Sequence, residues 1–220
     1  MIGAEGIIRI VEKIKLTRNL ENLTELSLEC NPYPHEQIFD VLEKLNAQYR
    51  TVSRLRFSFG IQSMNDEVLT WAGRPYNFLA LTDFLRGLRE RKQENNVFNF
   101  DFIAFGSFQN KKDGTHELWR PYQREFFDTF VHSKFAESFS IYMLERHGGT
   151  PRDLAKTPLP DDENILEEFS LLKDILLKND YKRYEVSNFC RSGSASIHNM
   201  VYWNMENYLG LGVTAASFIQ

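Results

Sequence analysis

Apolar residues at Ile7, Ile8, Ile10, Val11, Ile14 and Leu16, with charges between them, predict an amphipathic helix over 7–16. Leu23 to Leu28 then alternates Leu, Thr, Glu, Leu, Ser, Leu, the pattern of a short strand with one dominant buried face. Asn31-Pro32 and Pro34 punctuate the chain before a second helix, His35 to Leu45, through Ile38, Phe39, Leu42 and Leu45. Leu55 to Ile61 reads as a strand that ends around Gly60. Asn65 to Trp71 and Phe78 to Leu88 read as helices, and the charged run Arg89 to Glu94 as a solvated helix end. Val97 to Phe105 is a strand carrying Asp101, and a loop follows over Asn110 to Gly114. Helix-like Pro121 to Phe135 and strand-like Ser138 to Leu144 come next. The stretch from Thr150 to Asp162, with Pro151, Pro158 and Pro160, is a loop or an insertion. Glu163 to Lys178 is helical, Tyr184 to Phe189 strand-like, and Arg191 to Ser196 a loop of small residues. Leu209-Gly210-Leu211-Gly212 is expected to be turn-rich and close-packed.

Repeated helix–strand alternation with short connections predicts an α/β fold built on a parallel sheet; the pattern leaves open whether the sheet closes into a barrel. The chain opens on a helix and stops in mid-pattern, so both ends are expected to be cut. A composition of 42% hydrophobic and 25% charged residues is that of an ordinary globular protein, and a net charge of -4 offers nothing that would attract nucleic acid. No run approaches the ~20 apolar residues of a membrane span. Met1 to Gly6 lacks the basic and apolar parts of a secretory signal, so the cytoplasm is the default location. The 18 Phe and 9 Tyr residues suit either an aromatic core or a pocket for a large flat ligand. Cys30 and Cys190, in no CxxC unit, are expected to be buried free thiols.

Ligands of parallel βα folds collect at strand ends. Glu29 ends the first strand, Gln62 and Ser63 follow the second, Asp101 lies in the third, and Arg74 sits in the loop Gly73-Arg74-Pro75. Singly, each has a plainer role: Glu29 or Asn31 as a helix cap, Arg74 in a surface ion pair, Asp101 satisfying nearby backbone. Together, two acids and an amide suit the hydroxyls and ammonium of a small polar cofactor. A second cluster is His198-Asn199-Met200-Val201-Tyr202-Trp203. Its imidazole can ligate haem iron while Tyr202 and Trp203 supply flat apolar surface, although a Tyr-Trp pair is also routine core.

Several strings in order resemble one family. Leu28-Glu29-Cys30-Asn31-Pro32 resembles the Leu-Glu-Ala-Asn-Pro segment of the radical SAM proteins related to oxygen-independent coproporphyrinogen III oxidase. Arg56-Phe57-Ser58-Phe59-Gly60-Ile61-Gln62-Ser63 resembles its Arg-Leu-Ser-Ile-Gly-Val-Gln-Ser segment, with Leu69 and Gly73-Arg74 following. Phe100-Asp101-Phe102-Ile103 with Gly106, and Ser140 to Leu144 through Gly149-Thr150-Pro151, are similar to later strands and a turn of that family. Tyr184 to Phe189, His198-Asn199 with Tyr202-Trp203, and Tyr208 to Gly212 are similar to its haem-chaperone branch, HemW.

The resemblance implies a partial (β/α) barrel that binds S-adenosylmethionine (SAM) beside a [4Fe–4S] cluster and lacks its first strand and cluster loop here. It implies SAM contacts at Glu29, Gln62, Arg74 and Asp101. It also implies a haem-binding motif at His198, Asn199, Tyr202 and Trp203, with His198 on the metal. On this basis residues 1–180 form the incomplete barrel and 181–220 a family-specific segment that stops before a C-terminal domain. No CxxxCxxC occurs, so the chain has no cluster ligands and is expected to be inactive alone; in the family that motif and a Gly-Gly-Thr-Pro segment lie upstream. Gly106-Ser107-Phe108-Gln109 stands where the family has Gly-Leu-Pro-Gly, and Gly212 to Ser217 replaces Gly-Pro-Gly-Ala-His-Ser. The implied role is that of a haem chaperone piece, whose partners are haem or porphyrin and a haem-protein acceptor. A coproporphyrinogen dehydrogenase and a degenerate, non-catalytic haem- or partner-binding domain are the alternatives.

Overall fold

Parallel pairing sorts the strand residues into two chemically opposite faces. The computed structural model describes residues 3–106, 121–145 and 162–220. Within them, β1 (Glu25–Cys30), β2 (Arg54–Gln62), β3 (Asn96–Ala104) and β4 (Ser138–Met143) are parallel neighbours in chain order. β6 (Asn188–Cys190) pairs antiparallel with β4, and β5 (Lys182–Arg183) with β6, giving the six-stranded order β1-β2-β3-β4-β6-β5. The helices are α1 (Ala4–Lys15), α2 (His35–Gln48), α3 (Asp66–Trp71), α4 (Phe78–Arg91), α5 (Pro121–His132), α6 (Asp162–Lys178) and α7 (Ile197–Trp203). The expected loop over 110–114, the proline-bearing stretch 150–161, the turn at 149–151 and residues 107–109 lie outside the described residues.

One face of the sheet carries Phe57, Phe59, Phe98, Phe100, Phe102, Phe139, Ile141 and Phe189, all buried. The helices cover it with Leu42 and Leu45 of α2, Phe84 and Leu88 of α4, Phe127 and Phe130 of α5, and Leu172 and Leu176 of α6. The rings pack edge and face: Phe102 and Phe127 centroids are 5.0 Å apart, Phe100 and Phe130 5.2 Å, and Phe139 and Tyr181 5.1 Å. Each such ring contributes roughly 2–3 kcal/mol of burial. The phenylalanines of the sheet therefore make the core behind it and do not line the polar cavity on its other face. Gly87 in α4 has a local reason to lack a side chain, since a Cβ there would come 2.4 Å from the Phe39 ring.

The opposite face presents Arg56, Ser58, Gln62, Asn99, Asp101, Ser138, Ser140 and Asn188. Partnered residues in parallel strands point the same way, so Ser58 beside Asn99, and Gly60 and Ser140 beside Asp101, bring polar groups into rows.

The structure corrects several expectations. The run from Arg89 to Glu94 is not simply solvated. Lys92 lies half-buried between the Phe98 and Phe135 rings, 5.1 and 5.0 Å from their centroids. Its ammonium donates to Phe135 O and Glu137 Oε1, both at 2.6 Å. Glu137 also takes Arg191 Nη2 at 2.9 Å and Phe98 N at 2.9 Å. Tyr184 to Phe189 is not one strand but the turn and second arm of the β5–β6 hairpin. Leu209 and Leu211 are 61% and 72% exposed, so that segment is not close-packed by its side chains. Its backbone is close at Gly210, where a Cβ would sit 2.1 Å from Ala216 O. Both cysteines are free; Cys190 is buried as expected, but Cys30 is only half-buried. Among the described residues no helix is long and apolar enough to cross a membrane.

Two stability measurements follow from this packing. Phe139→Ala removes a ring at the centre of the aromatic layer and lowers unfolding free energy by about 3–5 kcal/mol in urea denaturation. Glu137→Ala leaves the Lys92 ammonium without its carboxylate and costs about 2–4 kcal/mol, whereas Arg86→Ala, which removes the exposed pair with Asp83, has little effect.

Candidate functional site

The polar rows floor a cavity of about 590 Å³ that brings residues of β1, β2, β3 and β4 against the start of α7. Its lining includes Glu29, Gln62, Asp101, His198 and Asn199, together with Arg56, Ser58, Ser140 and Tyr142. Sequence-expected residues from both clusters thus meet in one space.

At the upper end, β2 breaks register between Gly60 and Gln62, and Gln62 adopts a left-handed φ of 70°. A Cβ at Gly60 would lie 2.6 Å from Gln62 Nε2, so any larger residue there would displace the Gln62 amide. The Tyr76 hydroxyl donates to Gly60 O at 2.8 Å and holds the bulge. Ser63 is a turn residue, its Oγ accepting from Asn65 N at 3.1 Å. Neither Glu29 nor Asn31 caps α2, whose N-cap is Pro34 and has no side-chain cap. Glu29 is exposed at the cavity edge.

Asp101 anchors the middle. Its carboxylate accepts from Ser58 Oγ at 2.8 Å and Asn99 Nδ2 at 2.7 Å. Asn99 Nδ2 also lies 2.8 Å from Ser58 Oγ and 2.9 Å from Ser140 Oγ, and Ser140 Oγ donates to Asn188 Oδ1 at 2.6 Å. The network crosses β2, β3, β4 and β6. Burial pushes the Asp101 carboxyl above its ordinary range, against the lowering influence of the Ser140 and Ser58 hydroxyls and the Arg56 charge. Burial also raises the Tyr142 hydroxyl, and the Asp101 charge adds to that shift.

The lower end is organised by two residues that sequence reasoning missed. Glu25, its side chain 4% exposed, accepts from Ile197 N at 3.2 Å and His198 N at 3.1 Å, placing a carboxylate at the start of α7. Arg54 donates to Ala195 O at 3.1 Å and Gly193 O at 2.7 Å and ties down the preceding loop. Ser196 completes the N-cap by accepting from Asn199 N at 3.2 Å. The contacts of Glu25 and Arg54 with this segment bridge more than a hundred positions, so no local signal reveals them. The strand alternation that puts Glu25 on the same face as Glu29 is the one available clue.

His198 is exposed, and its Nε2 lies 2.9 Å from the Tyr202 hydroxyl one turn later. Tyr202 and Trp203, 43% and 53% exposed, lie beyond the cavity lining and are not core. Arg74 is half-buried in the α3–α4 loop, also outside the lining, with no described partner for its buried Nε.

The donor sets differ in what they fit. Glu29, Gln62 and Asp101 suit a polar nucleoside such as SAM, with carboxylates and an amide for hydroxyls and an ammonium. An exposed imidazole beside Tyr202 and Trp203 suits haem, provided the Tyr202 hydroxyl releases Nε2. A [4Fe–4S] cluster does not fit. The whole chain has two cysteines, and β2, β3 and β4 separate the strand of Cys30 from that of Cys190. Burial and the neighbouring Glu29 also push the Cys30 thiol up to about 12, away from the thiolate a metal needs. Among the described residues no group of three His, Cys, Asp or Glu side chains is placed to hold a metal ion.

No family model matches the chain. Among curated proteins it is similar to the haem chaperone HemW of Buchnera aphidicola subsp. Schizaphis graminum, 27% identical over 98% of this chain and 52% of that one. HemW of Lactococcus lactis is 27% identical over 100% of this chain and 54% of its own. A mitochondrial radical S-adenosyl methionine domain-containing protein 1 of Danio rerio is 26% identical over 94% of this chain and 43% of its own. The fold matches the coproporphyrinogen III oxidase HemN of Escherichia coli, described as a radical SAM enzyme, with a TM-score of 0.67 at 20% identity over 99% of this chain and 49% of that one. The chain spans about half the length of these proteins. The chain is thus similar along nearly its whole length to HemW proteins and shares the α/β fold of HemN.

Proposed function

We propose that this chain is the cofactor-facing part of a HemW-type haem chaperone, binding a SAM-like nucleoside in the sheet cavity and haem at α7. The supporting observation is the single cavity that joins Glu29, Gln62 and Asp101 to His198 and Asn199. The chaperone reading is favoured by the HemW name of its curated relatives. SAM in such proteins supplies radical chemistry after accepting an electron from a cluster, and this chain, without cluster ligands, does not carry that step. Its own residues bind and orient. Gln62 and Glu29 meet the nucleoside hydroxyls from the upper end, and Asp101 holds a polar group from below while Ser58 and Asn99 fix its carboxylate. Arg74, in the α3–α4 loop outside the cavity lining, is not part of this set. His198 ligates haem iron, with Tyr202 and Trp203 against the porphyrin, and Glu25 keeps α7 in place. Residues 181–220 are the family-specific haem segment of this scheme.

Haem titration of the chain tests the reading. A Soret shift is expected, weakened about ten-fold or more by His198→Ala and more modestly by Glu25→Ala, which loosens α7. An identical titration for His198→Ala removes His198 from the site. Anaerobic reconstitution with iron and sulfide is expected to leave no stoichiometric [4Fe–4S] spectrum; a full one refutes the ligand argument.

Asp101 gives a pH prediction with a definite sign. Its folded carboxyl lies above the unfolded value near ~4, so its contribution is most favourable at low pH and is lost as pH rises through the folded value. Asp101→Asn is therefore expected to flatten the stability profile as pH rises above the unfolded carboxyl value of about 4. Binding of S-adenosylhomocysteine, measured calorimetrically, is expected to fall at least ten-fold. A variant that loses stability at neutral pH while binding normally would make Asp101 structural.

A further inference from the structure

The cavity holds a charge that the scheme above does not use. Arg56 is 4% exposed, yet it lines the cavity. Of its five N–H donors, one reaches a described partner, Ser138 Oγ, at a long 3.4 Å. The nearby carboxylates are engaged elsewhere: Asp101 by Ser58 and Asn99, and Glu25 by the α7 amides and Arg54. No described carboxylate makes an ion pair with Arg56. A buried guanidinium without an anion is costly, and its planar fork matches two oxygens of one acid group. It lies four residues before Gly60 on the same strand face, about 13 Å along β2 at ~3.3 Å per residue. The Ser58 hydroxyl stands between the two levels, and Ser140 is level with Gly60.

We propose that Arg56 makes the interior of this cavity a carboxylate-binding subsite, which receives the acid group of an elongated organic ligand whose polar remainder meets Gln62, Asp101 and Glu29. A singly charged carboxylate fits better than a phosphate dianion, because Asp101 and Glu29 line the same cavity. The carboxylate belongs either to the amino-acid end of a SAM-like nucleoside or to a porphyrin propionate, and paired probes separate these sources. The inference does not depend on the chaperone role.

Calorimetric titration of the full chain compares S-adenosylhomocysteine with 5′-methylthioadenosine, which lacks the amino-acid end, and haem with haem dimethyl ester. Succinate serves as a bare dicarboxylate probe. In at least one pair the acid is expected to bind about ten- to a hundred-fold more tightly, and Arg56→Met is expected to abolish that advantage without changing binding of the acid-free partner. Arg56→Lys, which keeps the charge and loses the fork, is expected to restore only part of it. Equal binding within both pairs, a full advantage in Arg56→Met, or no binding by any probe overturns the proposal. Should Arg56→Met fail to fold, the wild-type comparison within each pair decides. Equal, tight binding of both nucleosides, with haem and its dimethyl ester also equal, sinks this subsite and leaves the nucleoside reading intact. Succinate binding that depends on Arg56, with neither nucleoside bound, does the reverse.

Discussion

When parallel strands pair in register, partnered side chains share a face, and a residue's polarity is matched or opposed by its neighbours on either side. In this protein they match. Ser58, Asn99 and Ser138 form one row, and Asp101 and Ser140 lie beside each other in the next. Behind them Phe57 pairs with Phe98, and Phe100 with both Phe59 and Phe139. A slip of one residue in β3 would turn Asp101 into the aromatic layer and Phe100 into the cavity, at the combined cost of a buried charge and an exposed ring. The apolar layer therefore sets the register, and the register builds the site.

That dependence has an electrostatic consequence. The polar face is largely withdrawn from solvent, so its groups must satisfy each other. Asn99 does most of this between strands, reaching Ser58, Asp101 and Ser140 within 2.9 Å. Such a network fixes geometry while leaving charge unbalanced: Asp101 is harder to ionise than usual, and Arg56, though its charge reaches Asp101, makes no ion pair with a described carboxylate. Groups of this kind are poised to gain from a ligand what the fold does not supply. The aromatic layer, by contrast, leaves no comparable demand, and its phenylalanines serve stability.

The α7 end obeys a different rule. A seven-residue helix has little stability of its own. It is held by Glu25 on its first amides, by Arg54 on the loop before it, and by Ser196 at its cap. Those anchors leave His198, Tyr202 and Trp203 exposed. The haem-suited surface is thus held from β1 and β2, the same strands that carry Glu29 and Gln62.

The sequence by itself determined the elements and their class, because strand alternation and helical periodicity are local and each element had enough apolar residues to declare its buried side. It also determined that no cluster-ligand set exists, since that is a matter of counting thiols. Glu29, Gln62 and Asp101 were legible as strand-end polar residues, and the ordered strings made the relation to HemW-like proteins readable. The hairpin was misread as a single strand because the turn at Ser187 sits among residues of ordinary strand character. Lys92 was misread because an ammonium held by Glu137 looks, in sequence, like any surface lysine. Only the tertiary structure decided that the phenylalanines are core, that Arg74 stands apart from the cavity, and that Glu25, Arg54 and Arg56 matter to the site. The physical reason is that burial follows from register, and that the hydrogen bonds of Glu25, Arg54 and Arg56 to the later segments span 82 to 173 positions.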